Sequence, residues 1–270
     1  MLGEGQRFHL LGHSLGGYLT AQYALKYPET LASLSLVSPV GLTSAPKLHP
    51  PSSSSSFSSE TPGSKAGLTS RCYLPTNLPL GLRLVDLAWR LNVTPQSIVR
   101  ALGQKGPAFA DRAVAARFGN RWDSQKNSII SEYLYHLQAQ SASGEYALNS
   151  LLEPIFVPSS ERAKEGDQER KSGVYARKPI GAELAKLWLP GDKQKQRVDP
   201  EFRLNVLFGD RDWIWHDSVR DTMKNLDTLL GTGGFGDARS KLTIVPSSGH
   251  HLYLDNPSSF NQSILSVLSK

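Results

Sequence analysis

The sequence predicts an α/β fold built on a mostly parallel sheet. Two observations carry this. The apolar run Arg7-Phe8-His9-Leu10-Leu11 leads directly into Gly12-His13-Ser14-Leu15-Gly16, and the helical run Tyr18 to Lys26 follows. A second apolar run, Leu31 to Pro39, comes next. Strand, turn, helix, strand is a βαβ unit, and a crossover through a helix leaves its two strands parallel.

The remaining elements follow in order. The first helix stops at Tyr27-Pro28, because proline forbids its continuation. Leu34, Leu36 and Val37 read as a short buried strand that Pro39 ends. Leu80, Leu82, Leu84, Val85, Leu87, Ala88, Trp89 and Leu91 give a helix with a broad apolar face. Thr94-Pro95 reads as an N-cap with proline in the first helical position, opening a helix from Gln96 to Leu102. Asp123 to Ser141 is a further helix, with Ile129, Ile130, Tyr133, Leu134 and Leu137 at helical spacing. The strand pattern resumes at Phe202 to Phe208, turns at Gly209-Asp210-Arg211-Asp212, and gives way to a helix from His216 to Leu230. Lys241 to Val245 is the last strand, and Asn256-Pro257 opens a final helix that runs to Leu268.

This pattern divides the chain. Residues 1–40 and 201–270 are expected to form an α/β core, and residues 41–200 a mainly helical cap inserted into it. Two polar insertions interrupt the cap. The Ser-rich run near 50–62, with Ser52 to Ser56, buries too little apolar surface to order itself. The charged stretch near 159–173 reads as a solvated insertion.

The chemistry sits in the connections. A Gly-x-Ser-x-Gly segment between strand and helix is a nucleophile elbow, a sharp turn that projects its serine above the sheet. The flanking glycines keep side chains out of the turn. A serine hydroxyl is a weak nucleophile, so it needs an adjacent base and a carboxylate to orient that base. In α/β-hydrolases these come in the chain order Ser, Asp or Glu, His. Ser14, Asp212 and His250 supply that order, the last two after strands. Asp210 is the alternative carboxylate. Asp217 falls in the first turn of the next helix, where it complements the helix dipole. Gly249 permits the tight turn that would project His250, and His251 is its competitor. His13, at the variable elbow position, is read as packing or pocket lining. The backbone N–H of Leu15 is one expected oxyanion donor. In this fold the elbow follows the fifth strand, so the sequence is expected to be a piece of a longer protein. The earlier strands and the loop giving the second donor would lie upstream.

With 39% hydrophobic and 20% charged residues the composition is globular, and the net charge of +6 favours anionic partners. No Lys/Arg run or nucleic-acid motif is legible, so nucleic acid is not expected as a partner. Cys72, the only cysteine, excludes an intramolecular disulfide and a multi-cysteine zinc site. The histidines show no metal-ligand spacing, so neither a metal nor another cofactor is expected. No apolar run reaches the length of a membrane span. Neither the oligomeric state nor a targeting segment is legible.

Several stretches together resemble the α/β-hydrolase domain proteins 4 and 5 and the related fungal mitochondrial cardiolipin deacylase. They are Gly12 to Gly17, Leu25 to Pro28, Leu36 to Gly41, Tyr133 to Gln140 with Ser143-Gly144-Glu145, and Gly249 to Pro257 with Phe260-Asn261. The cap stretch is the most specific of these. The resemblance implies a serine lipid hydrolase that deacylates cardiolipin, N-acyl phospholipids or lysophospholipids. It also implies a peripheral membrane or lipid-droplet setting, in the mitochondrion or at a cytoplasmic lipid surface. One branch of that family is a non-catalytic lipase co-activator without the elbow serine, and Ser14 is present here. The family's H-x4-D motif, linked to acyl transfer from acyl-CoA to lysophosphatidic acid, matches His250 and Asp255. From the residues alone, Asp255 reads equally as a cap of the last helix. Arg83, Trp89, Arg90, Arg100 and Lys105 of the cap are candidates for contact with anionic head groups.

Overall fold

A computed structural model of the chain describes residues 6–45, 80–119, 122–157, 172–187, 198, 201–229 and 239–268. The Ser-rich run, Cys72 and nearly all of the charged insertion lie outside the described residues.

The chain divides into two compact units, residues 1–75 with 153–270, and residues 76–152. The first is built on a four-stranded sheet in the order β1 (Phe8–His13), β2 (Leu31–Val37), β5 (Arg203–Gly209), β6 (Ser240–Val245). All three pairings are parallel, so every strand ends at the same edge. Leu34, Leu36, Leu204, Val206 and Phe208 are fully buried, which explains the continuous apolar runs in β2 and β5. Helix α1 (Leu15–Lys26) packs on β1 and β2, burying Gly17, Tyr18, Ala21 and Ala24. Its small residues let the helix lie close to the sheet. Helices α7 (Ser218–Leu229), α8 (Leu252–Asp255) and α9 (Pro257–Leu268) also belong to this unit. Val37, Leu207, Val245, Leu252 and Phe260 form a buried cluster at the strand ends. Asn256, not Asp255, caps α9, its side-chain oxygen accepting the Ser259 N–H at 3.2 Å.

The second unit is helical: α2 (Leu80–Arg90), α3 (Pro95–Ala101), α4 (Gly106–Phe118), α5 (Ser124–Ala139) and α6 (Leu148–Leu151). Thr94 caps α3 and Asp123 caps α5, each accepting the N–H three residues on. Helix α2 ends in a Schellman motif. Asn92 takes φ 54°, and Val93 N–H bonds back to Ala88 O at 2.8 Å. Helix α4 was not legible in the sequence. Its buried positions, Ala110, Val114 and Phe118, give too thin a stripe to stand out.

Arg100 and Glu145 are ion-paired, Thr94 Oγ1 donates to the same carboxylate at 2.6 Å, and Arg100 also donates to the Gln138 and Gln140 carbonyls. Arg100 thus ties α3 to the end of α5. Among the described residues of 41–200, β3 (Leu152–Ile155) and β4 (Gly173–Ala176) depart from the helical pattern and pair as a two-stranded ladder.

Candidate active site

The site lies at the C-terminal edge of the sheet, where ligands of open α/β sheets bind. Ser14 occupies the turn between β1 and α1 at φ 54°, ψ −119°, a strained conformation for a residue with a side chain. The elbow admits this only because its neighbours are small. A Cβ on Gly12 would run into Gly16 O and Thr20 Oγ1, and one on Gly17 would press on Pro39. The Ser14 N–H donates to Val37 O at 2.9 Å, which anchors the elbow to the neighbouring strand.

The structure brings three of the expected residues together. Ser14 Oγ lies 2.9 Å from His250 Nε2, and His250 Nδ1 lies 3.1 Å from Asp212 Oδ1. A hydroxyl proton on Ser14 therefore points at one ring nitrogen, and the other ring N–H donates to the carboxylate. His251 is not in this relay, although its ring lies 5.4 Å from that of His250, centroid to centroid. Leu15 is the first residue of α1, and the N–H groups of a helix's first turn have no intrahelical acceptor.

Asp212 is buried, and burial alone would push its carboxyl up. Hydrogen bonds from His250 and from Ile214 N–H, at 3.0 Å, and the adjacent Ser38 hydroxyl outweigh that and hold it below the usual range. Ser38 is fully buried at φ 44° directly after β2. Neither its Oγ nor Asp212 Oδ2 has a partner at hydrogen-bonding geometry.

Asp210 does something else. Its two carboxylate oxygens accept the N–H groups of Ser247 and Ser248 at 3.0 and 2.8 Å, and these bonds hold its pKa down. Asp255 Oδ2 accepts Gly249 N–H at 2.9 Å. The two carboxylates therefore brace consecutive residues of the loop that carries His250. Gly209 makes room for it, since a Cβ there would collide with Ser248 O and Gly249 O. Asp217 is exposed, directly ahead of α7, away from the Ser14–His250–Asp212 relay.

Three contributors were not given these roles by the sequence. His13 Nε2 donates to His250 O at 2.8 Å, and its ring lies 4.7 Å from the His250 ring. Burial, then the nearby His250 and His251, push its pKa down to about 4 despite the bond to His250 O, so the ring is neutral near pH 7. The Trp213 ring sits 5.2 Å from His250 on the exposed side. Ser38 is the third. A histidine at the variable elbow position was visible in the sequence. Its partner, a main-chain carbonyl on another strand's loop, was not.

Beside Asp212 a pocket opens, lined by Pro39, Leu42, Tyr175, Phe208, Trp213 and Ile214 among others. Tyr175 OH and His216 Nε2, 3.1 Å apart, give it one polar pair. Among the described residues no cluster of three or more His, Cys, Asp or Glu side chains suits a metal ion.

A parallel sheet carrying a strained serine elbow, with Asp and His on the loops of later strands, defines the α/β-hydrolase class of fold. The chain belongs to the alpha/beta hydrolase fold family, whose profile matches residues 3–257. It is 30% identical over 268 residues to a probable 1-acylglycerol-3-phosphate O-acyltransferase of Oryza sativa subsp. japonica, covering 97% of this chain and 50% of that protein. It is 26% identical over 256 residues to a (lyso)-N-acylphosphatidylethanolamine lipase of Bos taurus, covering 93% and 56% respectively. The chain thus spans about half the length of the curated relatives it matches. Among solved structures it is similar to a membrane phospholipase A described as a bacterial virulence factor, at TM-score 0.47 and 18% identity, over 98% of this chain and 58% of that one.

Proposed function

We propose that this chain is the catalytic core of a serine-dependent lipid hydrolase that deacylates phospholipids of the cardiolipin, N-acyl or lysophospholipid class. The observation that carries the reading is the Ser14–His250–Asp212 relay, with its 2.9 and 3.1 Å links. Ser14 Oγ attacks the acyl carbonyl carbon while His250 Nε2 takes its proton. Asp212 holds the imidazole with Nδ1–H toward itself and favours the imidazolium that forms. Leu15 N–H donates to the developing oxyanion. His250 then protonates the leaving head-group oxygen or nitrogen, and water, deprotonated by the same ring, releases the fatty acid. The names of the rice and bovine relatives support a glycerophospholipid substrate. A membrane or lipid-droplet surface, mitochondrial or cytoplasmic, is the setting that goes with it.

A second reading is acyl transfer, in which lysophosphatidic acid replaces water as the acceptor and acyl-CoA is the donor. The rice relative's name and the spacing of His250 and Asp255 favour it. Asp255 would act there through the loop, given its bond to Gly249 N–H.

A fluorophosphonate probe tests the shared premise. Labelling is expected on Ser14 and is expected to vanish in Ser14→Ala. No labelling of the folded chain would leave only a non-catalytic lipid-surface co-activator. Product analysis with acyl-CoA, with and without lysophosphatidic acid, then separates the two chemistries. Free fatty acid supports hydrolysis, and phosphatidic acid supports transfer.

A further inference from the structure

Helix α2 carries its residues the wrong way round for a water-exposed helix. Leu80, Leu84, Leu87 and Leu91, spaced i, i+4, i+7 and i+11, share one stripe at 73%, 57%, 50% and 66% exposure. Asp86, on a different side, is only 5% exposed. Its carboxylate pairs with Arg90 Nε at 2.6 Å, yet the Arg90 side chain stays 55% exposed. Arg83 and Arg90, seven residues apart, line one flank of the leucine stripe. The C-terminal end of the helix is fixed within its own unit. Asn149 Nδ2 donates to Trp89 O at 2.8 Å, and the Schellman motif closes the C-terminus. The stripe is therefore presented by an ordered element.

We propose that α2 is an interfacial helix that lies in the surface of an anionic phospholipid layer. The four leucines enter the acyl boundary, and Arg83 and Arg90 stay at the level of the phosphates. An apolar stripe flanked by arginine is what such a surface selects. Charge agrees, because the unit from Thr76 to Leu152 has eight Lys and Arg against five Asp and Glu. Area speaks against a second copy of the chain. An eleven-residue helix is about 16 Å long, so two such stripes together cover a few hundred Å², well short of the ~1,200 Å² of a stable interface. No described helix is long and apolar enough to cross a membrane, so α2 lies on the surface and does not span it. Binding through α2 rests on the lipid reading above only for its choice of a phospholipid surface.

The test is co-sedimentation of the full chain with vesicles, made in Ser14→Ala so that lipid turnover plays no part. The protein is expected to pellet with vesicles of phosphatidylcholine plus phosphatidylglycerol, less with phosphatidylcholine alone, and less at high salt. The pair Leu84→Ser/Leu87→Ser is expected to weaken binding about tenfold or more. Its circular dichroism and melting temperature should match the parent. Leu80→Ser/Leu91→Ser, at the helix ends, should act in the same direction and covers the case that the first pair misfolds. Unchanged partitioning in both folded variants overturns the proposal. So does a parent dimer that these substitutions dissociate, since the stripe would then be covered by a second copy. Loss of esterase activity in the wild-type chain would leave the vesicle result untouched, so the two readings fail separately.

Discussion

The His13 ring donates from Nε2 to the main-chain carbonyl of His250 at 2.8 Å, joining the elbow to the loop of the last strand across 237 residues of sequence. The bond fixes the backbone of the residue whose side chain faces Ser14. Replacing His13 with Ala should lower kcat about tenfold, the equivalent of one hydrogen bond, with little change in KM. His13→Gln, whose amide N–H reaches a similar distance, should recover most of the loss. Equal activity of Ala and Gln variants would show that the bond is dispensable.

The same ring gives the fold an acid sensitivity. Its pKa falls from 6.5 unfolded to about 4 folded, chiefly through burial. The unfolded chain therefore binds a proton there before the folded one does. Stability is full above pH 6.5 and falls as pH drops toward 4, by at most about 3 kcal/mol from this group. Asp212, whose carboxyl is held low, contributes stability that is lost at still lower pH, as the medium falls through its folded pKa. Melting curves across this range should show the first loss in the parent and a flatter profile in His13→Gln.

The two aspartates of the Gly209 turn should separate cleanly in kinetics. Asp212 holds the His250 ring, and Asp210 holds the backbone of residues 247 and 248. Asp212→Asn should cost on the order of 10⁴ in kcat through the wrong imidazole tautomer. Asp210→Asn keeps one acceptor oxygen for the loop, so its loss should stay near tenfold. Similar losses in the two variants would contradict this division.

Gly209 is the position where backbone space decides the matter. A methyl group there would meet the carbonyls of Ser248 and Gly249, which cannot move without dragging His250. Gly209→Ala should destabilise the chain by about 1–3 kcal/mol, the usual cost of overpacking, and lower kcat as well. A calorimetric transition at the parent temperature with full activity would refute the tight fit.

These contacts mark the limit of what the sequence discloses. Ser14, Asp212 and His250 were legible because each is tied to a local signal: an elbow between glycines, a turn after an apolar run, a glycine before a histidine. The parallel strands were legible because β2 and β5 are buried on both faces and so read as unbroken apolar runs. His13 and Asp210 were not assigned their partners, since each bonds to atoms on a different connection and nothing nearby encodes the pairing. The surroundings of Arg100 and of helix α2 were not legible either. The first is tied to Glu145, 45 residues on in the sequence. The second has the spacing of a core helix, yet its leucines face outward.

Ser38 supplies the last prediction. Its hydroxyl is buried without a well-formed hydrogen bond, beside a carboxylate oxygen in the same condition. It nonetheless helps hold the Asp212 carboxyl below its ordinary value, alongside His250 and Ile214 N–H. Ser38→Ala removes one unsatisfied polar atom, which costs the fold nothing and can stabilise it. It also removes part of what keeps Asp212 ionised. The melting temperature at neutral pH is therefore expected to stay level or rise, while kcat falls a few-fold, about 1 kcal/mol or less of transition-state stabilisation. The Asp212 carboxyl should titrate closer to its ordinary range in the variant, as side-chain carboxyl NMR would report. A variant that melts early and loses activity in proportion would mean that Ser38 is a structural residue with no bearing on the charge of Asp212.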